Sequence, residues 1–308
     1  MTLEITPAIA IAKAYSPSHI TGFYSGVRGE SILEHGSLGA GITISKGVRT
    51  TVELYDSDTN NSVIQINGAI SRDALVSKYI INEFLNKVNK KFLLKVNHEV
   101  DMPIGYGIGT SGSAALSLSY ALNEALSLQL SDIESAQIAH KAEIECKTGL
   151  GTVLSEFYGG LCLRTKAGAP GIGKTSVIKI NNYKIAIFCF SPIFTRYFID
   201  SIRKISNHEC NEMIMKVLKT KKISDFLKLS YEFSSSLGYA NTTCNRLIDV
   251  LVKNGFTGST ALFGQTVFTI VKENELKTID NISKDFPAKL FISDIENEGA
   301  RLIRKNDA

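Results

Sequence analysis

The sequence predicts an α+β fold of two closely packed domains, 1–174 and 175–308, and three observations support it. Strand-like and helix-like segments come in mixed blocks rather than in the strict alternation of a doubly wound parallel sheet. The chain carries no internal repeat, low-complexity run or linker-like stretch. Its 308 residues, 44% of them apolar, suffice for one large or two ordinary cores and exclude a disordered or collagen-like chain.

Taken in order, residues 47–55 and 62–67 show the β-branched alternation of strands, and residues 56–61 between them have hairpin-turn chemistry. Residues 71–89 place Leu75, Val76, Tyr79, Ile80, Phe84, Leu85 and Val88 at helical spacing. A strand at 91–97 leads into a glycine-rich loop, followed by helices near 113–128 and 131–146. Ser131 and Glu134 form a capping box for the second of these. Residues 161–165, 176–180 and 184–190 read as strands separated by turns. The stretch 198–254 is mainly helical, and strands return at 265–271 and 289–293.

The net charge of +4 is scattered along the chain, so no basic stripe points to nucleic acid or a membrane surface, while a small anionic ligand is compatible. The five cysteines are an odd number with no pair closer than sixteen positions, which suits neither a disulfide framework nor a zinc site and predicts buried thiols. Lys13 follows the apolar residues 8–12 instead of preceding them, unlike a signal peptide. The apolar stretch 185–194 is interrupted by Ser191 and Pro192 and falls short of the roughly 20 residues of a membrane span. A soluble, cytoplasmic protein is expected.

Three glycine patterns compete for one role. Residues 168–175, GAPGIGKT, match the phosphate-loop pattern in every letter, but that pattern needs a helix to start at its end, and SVIKI followed by Asn181 and Asn182 reads as a hairpin instead. Residues 107–112, GIGTSG, match the dinucleotide fingerprint, yet the position of the required acid lands at a helix cap near Asp132 and Glu134 rather than at the end of a second strand. Read at greater length, residues 103–115 (PIGYGIGTSGSAA) run straight into a helix. Their glycines let backbone N–H groups approach an anion, and Thr110, Ser111 and Ser113 add hydroxyls at the positive helix end.

This loop resembles the second motif of the GHMP kinases, P-x-x-x-G-L-G-S-S-A-A. SPSHITGFY at 16–24 and NGFTGSTALFGQTVF at 254–268 stand where that superfamily has its first and third motifs. Within it the wording is most similar to the archaeal pantoate kinase family, through GSLGAGI (36–42), AHKAE (139–143), TGLGT (148–152), GGLCLR (159–164), AGAPG (167–171) and ALFGQTVF (261–268). The resemblance implies an N-terminal domain of ribosomal-protein-S5-like fold, a ferredoxin-like C-terminal domain and a homodimer. It implies ATP and Mg2+ as cofactors, and phosphorylation of (R)-pantoate to 4-phosphopantoate on the archaeal route to coenzyme A. Other small alcohols of the superfamily (homoserine, mevalonate, shikimate) are the alternatives, as is a nucleotide or small-molecule sensor that has lost catalysis.

The resemblance also implies roles for individual residues. Gly107, Ile108, Gly109, Thr110, Ser111, Gly112 and Ser113 would bind the nucleotide phosphates. Glu143 matches the metal carboxylate, whereas Glu145, about 200° around the same helix, cannot share its metal. Ser113 is favoured as the hydroxyl partner from its place before Ala114 and Ala115, although counting from Pro103 selects Ser111. Thr152 stands where many members carry a catalytic Asp, and threonine is no base at neutral pH. Glu156, one turn on, could act through a water. Ser37, Arg164 and Thr195 match substrate positions, with Arg164 suited to a carboxylate; His140, three residues before Glu143 on roughly the same helix face, can reach a substrate hydroxyl, and His19, in place of the basic residue of the first motif, would face substrate or phosphate. His35, His98 and His208 show no metal spacing and receive no role.

Overall fold

A computed structural model describes residues 7–193, 205–238 and 241–304. Strands β1 (Ala10–Val27) and β2 (Gly36–Asp56) form a long antiparallel ribbon, paired from Ala10 opposite Leu54 to Val27 opposite Gly36. Most of this ribbon escapes the sequence reading. Its middle is buried on both faces, so it shows no alternation, and residues 36–41 are rich in glycine, which strands disfavour. Two irregularities, between Ser16 and Ser18 and between Thr21 and Phe23, bracket His19. Bulges of this kind re-aim a side chain, here toward the interior.

β2 divides its partners. Its second half pairs with β5 (Phe92–Val100) and its first half with β6 (Leu161–Lys166), which sets Arg164 opposite Gly39. β3 (Asn61–Ile66) runs parallel to β5, with β4 (Ala69–Ile70) beyond it at the edge. The expected hairpin across residues 56–61 is therefore corrected: the chain turns there, but β5 lies between the two strands. Turn chemistry reports a reversal of direction, whereas pairing is settled by the non-local crossover through α1 (Leu75–Leu85).

Helices α1, α2 (Thr110–Ala125) and α3 (Asp132–Glu145) cover this sheet, burying Ile80, Phe84, Leu116, Leu118 and Leu122 against Val52, Leu94 and Val96. The Ser131–Glu134 capping box forms as expected. A short α4 (Thr152–Tyr158) precedes β6, and β7 (Lys174–Ile178) pairs back onto β6. The sequence reading of β7 and β8 as one hairpin is a second correction, because β8 (Lys184–Pro192) belongs to another sheet. β7 thus ends the run of strands in the first sheet at Ile178, and β8 opens the second sheet at Lys184.

The second sheet has the order β11–β8–β10–β9, with β9 (Gly258–Ala261), β10 (Gly264–Val271) and β11 (Lys289–Asp294) all antiparallel to their neighbours. Helices α5 (Asn207–Thr220), α6 (Ile223–Ser236) and α7 (Thr242–Lys253) separate β8 from β9, and α8 (Leu276–Ser283) separates β10 from β11. A 4-1-3-2 order with helices in these crossovers is the ferredoxin-like plait. β12 (Arg301–Leu302) then returns the chain to the first sheet. One core is shared between the halves: Phe226 of α6 meets Phe23 of β1 and Phe268 of β10. This shared packing fixes the walls of the cleft between the sheets. No described helix is long and apolar enough to cross a membrane.

Candidate active site

The glycine loop and the start of α2 form the floor of a cleft of about 510 Å³. Gly107 and Gly109 have φ of 72° and 66°, left-handed values that favour glycine. At Gly107 the backbone also presses on the Leu262 carbonyl of the β9–β10 turn, leaving no room for a side chain. That contact is how the third sequence motif reaches the loop, and Leu262 and Phe263 line the cleft beside it. Gly109 caps α2 without any side-chain hydrogen bond, and no acid sits in the first turn. The leading N–H groups of a sixteen-residue helix thus face the cleft with their partial positive charge unopposed by a cap.

Glu143, on α3, is buried at the cleft wall, where its Oε1 accepts hydrogen bonds from Ser111 Oγ at 2.5 Å and Thr148 Oγ1 at 2.6 Å. Burial raises its pKa, and these two hydroxyls work in the opposite direction. Glu145 is exposed on the other side of the helix, as its angular offset predicts. Of the two loop serines, Ser111 is the one that meets Glu143 in the structure. Ser113 Oγ is fully buried away from the cleft, within 2.8 Å of the Pro17 carbonyl and 2.9 Å of Glu156 Oε1. One carboxylate with neighbouring hydroxyls beside an anion site suits Mg2+, which takes few protein ligands and completes its shell with phosphate and water.

Thr152 opens α4 and lines the cleft, its methyl packed under Gly109 and Gly112. Glu156, one turn later, is fully buried beneath the loop, and its Oε2 has no hydrogen-bond partner. Burial pushes the pKa of this carboxyl well above the ordinary range, with the nearby Glu143 adding to the effect. Glu156 lies outside the cleft lining, so it is not placed to take a proton directly from a substrate in the cleft. Glu156→Gln, which preserves shape, is expected to retain turnover within about tenfold. A loss of ~10²-fold or more, the range for removing a general base, would restore Glu156 to that role.

At the other end of the cleft Arg164 reaches in from β6, 1% exposed. Nη1 donates to Ser155 Oγ at 2.9 Å, and Nε, buried, has no partner. Among the described residues no acid is paired with it; burial lowers its pKa, and the Cys162 and Cys210 thiols work in the opposite direction. Ser37 faces the same spot, for a Cβ on Gly151 would strike its hydroxyl and lie 2.7 Å from Arg164 Nε. His19 lines the cleft nearby, with a buried, unpartnered Nε2 and a pKa held well below normal by burial and by Arg164. Three sequence-derived substrate positions thus converge. His140 does not line the cleft with them: its Nε2 contacts the His35 carbonyl at 2.9 Å. Thr195 lies outside the described residues.

Several lining residues carried no sequence signal. Ile66, the segment 73–77 at the head of α1, His98, Val100 and Ile104 form a largely apolar end opposite Arg164. Thr148 sits inside the TGLGT string, and its hydroxyl five residues after Glu143 is the one clue that could have found it. The competing GAPGIGKT loop is a turn between β6 and β7, and Lys174 begins an exposed strand, not a helix. Lys174→Ala is accordingly expected to leave turnover within about an order of magnitude, since no helix N-terminus stands there to cradle phosphate. A loss of three orders with intact circular dichroism would contradict this.

A glycine loop at a helix start, a buried carboxylate hydrogen-bonded to a loop hydroxyl and a helix-covered mixed sheet joined to a ferredoxin-like plait are the features the GHMP small-molecule kinases lead one to expect. Residues 74–160 match the model of the GHMP kinases N terminal domain, and the chain belongs to that family. It is 32% identical to the pantoate kinase of Methanocaldococcus jannaschii over 88% of this chain and 97% of that protein. It is 29% identical to the pantoate kinase of Thermococcus kodakarensis over 96% and 99%. Among solved structures, a phosphotransferase related to the coenzyme A biosynthesis pathway superposes with a TM-score of 0.85 at 25% identity, covering 96% of this chain and 99% of that one.

Proposed function

We propose that this chain is an ATP-dependent kinase that transfers phosphate to the primary hydroxyl of (R)-pantoate, giving (R)-4-phosphopantoate on the way to coenzyme A. The observation that carries the substrate assignment is Arg164: a cation buried in a cleft, with no acid beside it among the described residues, calls for an anionic ligand. A carboxylate placed there would receive the free Nε–H and, with Ser37 and His19, leave the substrate hydroxyls pointing toward the glycine loop. An α-amino acid such as homoserine fits less well. The acids lining the cleft among the described residues are Asp73, at the α1 end, and Glu143, already engaged by two hydroxyls, so nothing near Arg164 receives an ammonium group.

The nucleotide takes the other end. Its flat base suits the apolar surface of Ile66, Leu75, Val76, Val100 and Ile104, and its phosphates suit the first-turn N–H groups of α2. Glu143 and Ser111 would hold Mg2+, which when bound neutralises charge on the outer phosphates. With Thr152 offering no base and Glu156 outside the cleft lining, this chain contributes position and charge stabilisation, which phosphoryl transfer mainly requires. The resemblance to the family adds a homodimer to this reading, checked by light scattering. The product tests the chemistry itself: phosphate on the CH2–OH carbon gives a proton-coupled phosphorus triplet, whereas a doublet would place it on the secondary hydroxyl and overturn the proposed orientation.

A further inference from the structure

Behind the cleft a line of buried hydroxyls joins α1 to α2 through His98. Ser77 Oγ of α1 lies 3.0 Å from His98 Nε2, and His98 Nδ1 lies 2.8 Å from Thr50 Oγ1 on β2. Thr50 Oγ1 is 2.7 Å from Ser117 Oγ, which donates to the Ser113 carbonyl at 2.7 Å. Every member is buried.

The far end fixes the direction of the whole line. A carbonyl can only accept, so the Ser117 hydrogen is spent on the Ser113 carbonyl and its oxygen must accept from Thr50. Thr50 then has no hydrogen left for His98 and accepts from Nδ1–H. Burial holds the His98 pKa near 4, so the ring is neutral with one hydrogen, on Nδ1, and Nε2 accepts from Ser77. The order is Ser77 to His98 to Thr50 to Ser117 to the carbonyl of α2's first turn.

The two ends of this line touch the two surfaces assigned above to the nucleotide. Ser77 and His98 line the apolar end, between Leu75 and Val76 of α1 and Val100 of β5. Ser113 stands one turn into the helix whose leading N–H groups face the phosphates. We propose that His98 is a positioning residue for nucleotide binding, holding the head of α1 at a set distance from the first turn of α2 so that the base surface and the phosphate surface are in register before the nucleotide arrives. Each hydroxyl of the line has its hydrogen already placed, and the walls pay no ordering cost on binding.

The inference rests on the proposed kinase reading only in naming the ligand, and its test needs no turnover. Calorimetric titration of Mg2+ and a non-hydrolysable ATP analogue into wild type, His98→Phe, His98→Asn and Ser77→Ala is read beside thermal midpoints. His98→Phe is expected to weaken nucleotide binding about tenfold, the scale of one buried hydrogen bond. His98→Asn, whose amide nitrogen can take the Nδ1 place, should recover part of this. Ser77→Ala, which trims one oxygen and serves if the Phe variant does not fold, should lose less than His98→Phe. Lowered midpoints with unchanged nucleotide affinity in all three variants would make His98 a purely structural residue and overturn the proposal. Nitrogen NMR of the ring is expected to show hydrogen on Nδ1, and hydrogen on Nε2 would contradict the direction of the line. Absence of pantoate turnover with these binding results intact would reject the substrate reading and leave the role of His98 standing.

Discussion

Glu143→Gln is expected to lower kcat by about 10²- to 10³-fold, the scale of removing one preorganised charge-stabilising group from an active site, while nucleotide alone still binds. The amide keeps the volume of the carboxylate and can accept from Ser111 or Thr148 through its carbonyl oxygen, so the loop and α3 stay in place. What disappears is the negative charge, and an amide is a poor ligand for a hard divalent cation. Glu145→Gln, two residues on but exposed, should be mild. Ser111→Ala should fall between them, and Ser113→Ala should show its effect in the thermal midpoint more than in kcat, because Ser113 packs against Pro17 and Glu156 behind the loop. Steady-state kinetics of the four variants decide the register, and a reversed order for Ser111 and Ser113 would return the hydroxyl role to Ser113.

Arg164→Ala is expected to raise KM for pantoate roughly 10- to 150-fold, which is the loss of a charge-assisted partner worth about 1.5–3 kcal/mol, and to leave KM for ATP within a small factor. Arg164→Lys should recover only part of this, because the ammonium keeps the charge without the fork that matches a carboxylate. The same residue yields an expectation about stability. A buried cation without an acidic partner is costly to the folded state, so Arg164→Met, which fills much of the space without charge, should fold with an equal or higher thermal midpoint while losing pantoate binding. A midpoint that falls together with an unchanged pantoate KM would make Arg164 part of the framework instead of the site.

The parts of the site that were legible in the sequence are local ones. Glycines, hydroxyls and a following helix are adjacent in the chain, so the anion loop could be recognised, and the absence of a helix after GAPGIGKT could reject its competitor. Ser111 and Ser113 lie about 200° apart on one helix, so only one of them can face Glu143, and the choice is made by how α2 packs on α3. His140 sits three residues before Glu143 on nearly the same face, yet the loop carrying His35 passes over it and occupies its ring nitrogen. Arg164 was found through resemblance, but its lack of an acidic partner, which is what makes it informative, exists only in the folded chain. The same holds for the fold. Capped, amphipathic helices and short alternating strands announce themselves, whereas β1 and the first half of β2 are buried on both faces, and the insertion of β5 between β2 and β3 is a non-local pairing that no turn signal encodes.

The most direct test of the central claim is a coupled ADP-release assay of the purified chain with pantoate, homoserine, mevalonate and shikimate under one set of conditions. The cleft described here predicts turnover of pantoate with kcat/KM at least ~10²-fold above that of homoserine, whose ammonium group finds no acid beside Arg164. Equal or faster turnover of homoserine, or nucleotide binding with no turnover of any of the four alcohols, would contradict it.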